Sequence, residues 1–282
     1  MIAKPECDHC FLRQAADAAR RALLSSANSE NLLKAVKQEL ARLPTDVTPP
    51  VRASRIHALI REISGNPDPY HAAKQEATEH ALNLYPRLKQ LLAEASDPLE
   101  SAIRLAIAGN IIDLGVASEY DLEASIERVL AQPLGIDHLS RLKAALKNAK
   151  SILYLADNAG ETVMDRLLIE LLEQPVTYVV KGGPAVNDAT REDATAAGLD
   201  QVCEVIDNGA ATLGTLLDQC TPDLRQRFDE AELIIAKGMA NYESLSGSRS
   251  GLFFLLQAKC AVIAEHLGIP EKSIVVLEDD TT

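Results

Sequence analysis

Two patterns of apolar positions divide the chain. From residue 11 to about 145, Ala, Leu, Arg, Gln and Glu dominate and alternation with period two is lacking, so this part is expected to be helical. Leu32, Leu33, Val36 and Leu40 share one helical face, and Ala77, Leu82, Leu84 and Leu88 do so more loosely. Stretches rich in Pro and Gly at 44–50, 65–69 and 133–135 mark loops. Near residue 150 the pattern changes. Residues 151–156, 175–180, 201–206, 233–236 and 273–277 are short, nearly continuous apolar runs, as strands buried on both faces require. Helices are expected over 161–173, where Met164, Leu167, Leu168, Leu171 and Leu172 recur at helical spacing, and over 251–267. Strands alternating with helices imply an α/β fold with a mostly parallel sheet covered on both faces. The organisation read from this is a helical unit over 1–100, its boundary extending to about 150, followed by an α/β/α unit over 101–282.

Composition narrows the functions open to such a fold. The 282 residues are 47% hydrophobic but only 4% aromatic, without Trp, so the core is built from Leu, Ile, Val and Ala. Asp and Glu number 41 against 28 Lys and Arg, a net charge of -13, and no basic cluster interrupts the excess. Such a chain repels polyphosphate backbones, which argues against nucleic-acid binding. A small anion is still accessible to it where a metal and a few lysines reverse the local sign. No apolar run approaches the roughly 18 residues of a membrane helix. Five cysteines and an N-terminal stretch unlike a secretory leader lead to the expectation of a reducing, cytoplasmic location.

In open α/β sheets ligands bind beyond the carboxyl ends of the strands. The residues following the five expected strands are Asp157-Asn158-Ala159-Gly160-Glu161, then 181–188, then Asp207-Asn208-Gly209, then 237–243, and finally Glu278-Asp279-Asp280. Any one of these could be an ordinary turn, with Gly and Asn supplying positive φ; their concurrence suggests a shared site. Asp157, Asn158 and Asp188 offer hard oxygen ligands suited to Mg²⁺ or Mn²⁺, which commonly take one to three protein groups and fill the remaining positions with water and phosphate. Gly160 is expected to let backbone approach a ligand, and the helix starting near Glu161 to turn its free N–H groups toward an anion. Lys181 and Lys237 follow strands directly and could reach a phosphate, or could merely snorkel. Asn110 and Asp113 share a helical face within an apolar stretch, where a buried hydrogen-bonded pair is the competing reading. Cys7 and Cys10 form a C-x-x-C without a second pair to complete a zinc site, just before a helix rather than after a strand. Walker A, G-x-G-x-x-G, G-x-S-x-G and H-E-x-x-H patterns are absent from the sequence.

Taken in order, Cys7-x-x-Cys10 with Arg13-Gln14, Asn66-Pro67-Asp68-Pro69-Tyr70 with Lys74, Gly109-Asn110-x-x-Asp113, the 157–161 segment, Gly183-Pro184 with Asn187-Asp188-Ala189-Thr190, the 237–243 segment and Lys259-Cys260 resemble the domain-of-unknown-function 89 family, the damage-control phosphatases. The N-terminal C-x-x-C resembles that of its stand-alone prokaryotic subgroup. The resemblance implies a helical domain joined to a three-layer, Rossmann-like α/β/α domain and metal-dependent hydrolysis of phosphomonoesters of small metabolites. It implies Asp157, Asn158 and Asp188 as ligands of a divalent metal (Mg, Mn, Co or Ni), with Asp157 and Asp188 catalytic. Glu161, Asn241, Lys259 and Lys237 become substrate contacts, and Asn110 and Asp113 line the same cleft. Lys259 alone, in a stretch read as an apolar helix, would pass for a snorkelling lysine. Glu243 departs from relatives that carry a basic residue there. Asp157 as nucleophile and a carboxylate orienting water both remain open. So do two other functions: a non-catalytic metal-binding or redox module using Cys7 and Cys10, and an S-adenosylmethionine-dependent carboxyl methyltransferase. The leaving group and the oligomeric state are not legible.

Overall fold

The computed structural model describes residues 1–109 and 126–279. Five helices open the chain: α1 (Pro5–Arg21), α2 (Ser26–Leu40), α3 (Pro49–Ser64), α4 (His71–Glu94) and α5 (Pro98–Ala108). Their starts carry the local signals that stop and start helices. Pro occupies the first helical position of α1, α3 and α5, while Ser25 and Asp97 accept from the Asn28 and Glu100 N–H groups to cap α2 and α5. Cys7 and Cys10 lie inside the first turns of α1 rather than ahead of a helix, which corrects the expectation for that pair.

Seven strands then form one sheet: β1 (Leu134–Asp137), β2 (Ile152–Leu155), β3 (Val176–Val180), β4 (Glu204–Asp207), β5 (Leu233–Lys237), β6 (Leu252–Gln257) and β7 (Ile274–Glu278). Their spatial order is β1-β7-β6-β5-β2-β3-β4, and every pairing but β6 with β7 is parallel. Alternation along the strands sends side chains to two cores. Ile152, Tyr154, Phe253 and Leu255 join α4, α5 and the helices Leu139–Asn148 and Thr162–Ile169 on one face. Leu153, Leu155, Phe254 and Leu256 join the helices Pro222–Glu230, Gly238–Leu245 and Ala261–Leu267 on the other. The domain is thus three-layered α/β/α, with α4 and α5 forming part of one outer layer. Helices α1 to α3 pack around a third core that includes Leu32, Val36, Ile56 and Tyr70.

Two strands escaped the sequence reading. The 251–267 segment is not one helix: β6 occupies Leu252–Gln257 and a helix follows only from Ala261. A continuous apolar run buried on both faces lacks the periodicity that separates strand from helix. The short, half-exposed edge strand β1 lies where a loop was expected. The 161–173 helix is shorter, running Thr162–Ile169 after a 3-10 turn at Ala159–Glu161. Among the described helices, none is long and apolar enough to cross a membrane.

Candidate active site

From β2 the chain proceeds to β3 and β4 on one side, then returns to β5 on the other. The connection therefore reverses between β2 and β5, and a crevice opens at their carboxyl ends. Residues after β2, β3, β5 and β6 line a cleft of about 890 Å³ there, and α1 forms its opposite wall.

Backbone pairing brings the two acidic segments together. Ala159 N–H donates to Asn187 O at 2.9 Å and Ala189 N–H to Asp157 O at 2.8 Å, so Asn158 and Asp188 meet in an isolated antiparallel bridge. Asp157, Asn158, Glu161 and Asp188 all line the cleft. The Asn158 amide donates to Asp157 Oδ2 at 2.8 Å and Glu161 Oε1 at 2.6 Å. Gly238, at φ +79°, follows β5; a Cβ there would stand 2.1 Å from Asp157 Oδ2, so only glycine lets the β5 tip pass this carboxylate. Gly160 has a different reason: its missing Cβ would lie 3.0 Å from Ala77 Cβ of α4. Close packing against α4 is thus a second reason for glycine here, beside its place in the lining of a smaller cavity that adjoins the cleft.

Lys237 was expected to reach substrate. It is fully buried and does not line the cleft; its ammonium donates to Asp165 Oδ1 at 2.7 Å and Glu161 Oε2 at 3.0 Å. Tyr154 and Tyr178 hydroxyls each donate to Asp165 at 2.7 Å and complete a network beneath the cleft. Burial acts to lower the Lys237 pKa, but the Asp165 and Glu161 carboxylates outweigh it and hold the ammonium charged. Asn241 is also buried away from the cleft. Its amide donates to Ala156 O and Lys237 O, and its carbonyl accepts from Thr215, tying the end of β2 to that of β5. Both side chains position the site's residues from behind. Asp165, Tyr154 and Tyr178 were not singled out from sequence; the available signal was a carboxylate and two hydroxyls within otherwise apolar elements, which need partners when buried.

The remaining tips divide. Asp207 and Asn208 after β4 close a turn, with Asn208 Oδ1 accepting from Gly182 and Ala210 N–H. The tip of β7 lies at the opposite end of the sheet because β7 is antiparallel to β6, and Asp279 accepts there from Gly247 N–H. The unanticipated strand β6 instead supplies Lys259, which lies in an exposed loop lining the cleft rather than in a helix. Asn110 and Asp113 lie outside the described residues.

Charge around the strand tips is unbalanced. Four buried carboxylates, Asp157, Glu161, Asp165 and Asp188, face two buried ammonium groups, Lys181 and Lys237, leaving an excess of two negative charges. Burial, then the Glu161 and Asp188 carboxylates, hold Asp157 well above the usual carboxylate range, with Lys259 and Lys237 pulling the other way. Burial likewise pushes Asp188 up to about 6 against the pull of Lys181. Asp188 Oδ2 is buried without a hydrogen bond, Lys181 Nζ standing 3.5 Å away and donating instead to Gly214 O. A buried carboxylate oxygen that accepts no hydrogen bond and an excess of two carboxylates over ammonium groups fit a divalent cation. Among the described residues no group of three or more His, Cys, Asp or Glu forms a ready cage. Two carboxylates and an amide are nonetheless the sparse oxygen set that Mg²⁺-type sites use.

A three-layer α/β fold with an acidic cleft at the sheet's reversal point belongs to the class whose small-molecule sites lie at such crevices. The chain belongs to the family of the damage-control phosphatase ARMT1-like domain, whose model matches residues 3–275. It is 35% identical to an uncharacterised protein of Methanocaldococcus jannaschii over 98% of this chain and 95% of that one. It is 38% identical to a damage-control phosphatase of Archaeoglobus fulgidus over 77% and 78%. The damage-control phosphatase PH1575 of Pyrococcus horikoshii is 36% identical over 82% of each chain. A crystal structure of that DUF89 family protein superposes with a TM-score of 0.93, covering 99% of this chain and 100% of the other. These relatives support phosphatase function.

Proposed function

We propose that the chain is a metal-dependent phosphatase that hydrolyses phosphomonoesters of small metabolites, sugar phosphates or damaged phosphometabolites among them. The observation that carries the metal dependence is the excess of two buried carboxylates over buried ammonium groups at the strand tips, with Asp188 Oδ2 accepting no hydrogen bond and facing only Lys181 at 3.5 Å. Asp157, Asn158 and Asp188 would hold the cation, whose charge offsets both the carboxylates and the phosphoryl group. Lys259 presents an exposed ammonium on the same cleft, and its charge acts on Asp157. It is the side chain we assign to the phosphoryl oxygens. Glu161 is fixed by Asn158 and Lys237 and faces the cleft, where its carboxylate can accept from a substrate hydroxyl. Cys7 and Cys10 line the outer wall as free thiols, in keeping with a reducing, cytoplasmic setting.

The test is a metal-stripped preparation assayed with an aryl phosphomonoester, before and after Mg²⁺, Mn²⁺, Co²⁺ or Ni²⁺ is supplied. Activity should be absent without metal and return with at least one ion. Turnover indifferent to chelator, or retained when Asp157→Ala and Asp188→Ala are combined, would overturn the reading.

A further inference from the structure

A second cavity, of about 520 Å³, adjoins the cleft. The two share Cys10, Arg13, Gln14, Val186 and Asn187, so the space runs on from the Asp157 and Asp188 carboxylates to Tyr70. One face of α1 roofs it. Cys10, Arg13, Gln14, Asp17, Arg20 and Arg21 recur at spacings of three and four, while Phe11, Ala15, Ala18 and Ala19 on the other side are buried.

The charge of this cavity is opposite to that of the protein. Four cations, Arg13, Arg20, Arg21 and Lys74, line it together with one carboxylate, Asp17. Arg20 and Arg21 share Asp17 at 3.0 and 2.7 Å, and Arg21 also stacks over the Tyr70 ring at 5.0 Å. Lys74 is committed to Asp68 at 2.9 Å and Asp193 at 3.2 Å. Arg13 is exposed and has no hydrogen bond or ion pair among the described residues. Beside it Gln14 is held by His57 Nε2 at 3.0 Å. In a chain of net charge -13, an unpaired guanidinium within a basic cavity that opens onto the phosphoryl site is suited to an anion.

We propose that this cavity is a leaving-group subsite, in which Arg13 takes a second anionic group of the substrate, a carboxylate or a second phosphate. The inference rests on the phosphomonoesterase reading and narrows its substrates to those charged at both ends. An Arg fork binds either anion in two parallel hydrogen bonds, whereas a neutral polyol leaves the surplus charge unmatched.

Three phosphomonoesters that differ only at the far end test it: one ending in a hydroxyl, one in a carboxylate and one in a non-hydrolysable phosphonate standing for a second phosphate. With Mg²⁺ supplied, Arg13→Ala should lower kcat/KM for at least one doubly charged compound tenfold or more beyond its effect on the neutral one, chiefly through KM. Which of the two suffers identifies the anion. Arg13→Lys, which keeps the charge but not the fork, should recover part of the loss. An equal fall on all three compounds would place Arg13 on the transferred phosphoryl group, and no fall would remove it from recognition; either overturns the subsite. Calorimetric binding of the matching non-hydrolysable phosphonates separates this from the activity itself. If the wild-type protein hydrolyses none of the esters but binds the doubly charged phosphonates through Arg13, the phosphatase reading fails while the anion site at Arg13 stands.

Discussion

The two walls of the cleft are built on different physical terms. The sheet wall carries its carboxylates buried, in excess over the buried ammonium groups and hydrogen-bonded from behind, with Lys259 as its exposed cation. The α1 wall carries exposed, positively charged groups on a single helix face. Buried groups are expensive to bring together but hold a fixed geometry, which chemistry on a phosphoryl group needs. Exposed groups cost little and can adapt, which suits recognition of a variable leaving group. On the function proposed above, reaction and selectivity are divided between the two sides of one crevice.

The largest effect expected is on the reaction. Asp157→Ala or Asp188→Ala should reduce phosphomonoesterase turnover by roughly a thousandfold or more. Circular dichroism should remain native, because each change removes one of several like charges. A variant of this pair that keeps most of its activity would dissolve the distinction between the walls. Next comes the support beneath the sheet wall. Lys237→Met leaves Glu161 and Asp165 without their cation and should cost about 3–5 kcal/mol in urea unfolding. A loss of activity with unchanged stability would instead give Lys237 a direct role with substrate.

Behind the α1 wall, His57 of α3 is buried and its pKa is pushed down to about 4, by burial first and then by Arg61. The unfolded chain takes its proton near 6.5, before the folded chain does, so stability falls as pH drops from about 6.5 toward 4, by about 3 kcal/mol at the lower end. His57→Leu should flatten that part of the stability profile; an unchanged slope would show that the histidine is protonated in the fold. The smallest effect concerns Gly160. Its Cβ would press on Ala77, so Gly160→Ala should cost about 1 kcal/mol and leave turnover within a few-fold. Abolished activity in a stable Gly160→Ala protein would give this glycine a ligand-facing role.

Much of the sheet was legible because its strands are short apolar runs punctuated by polar, glycine-bearing tips. β2, β3 and β5 and the segments Asp157 to Glu161 and Asn187-Asp188 could be read that way. β6 could not, since strand and buried helix share its composition, and with it went the placement of Lys259. Lys237 and Asn241 were legible as residues of a strand tip. Their direction was not: a side chain after a strand can point into the crevice or back under the sheet, and only packing chooses.

Residue order along the chain was thus enough to specify an acidic α/β protein and the strand tips that carry Asp157, Asn158 and Asp188. Those properties are local, set by strand length, glycine and carboxylate. Tertiary structure decided which tips meet: that β7 runs the wrong way to join them, that Asn158 bridges to Asp188, and that α1 brings Arg13 over the crevice. Each is a relation between segments distant in sequence, created by strand order and helix packing. The charge balance of the site, four carboxylates against two ammonium groups, exists only once those segments are buried together.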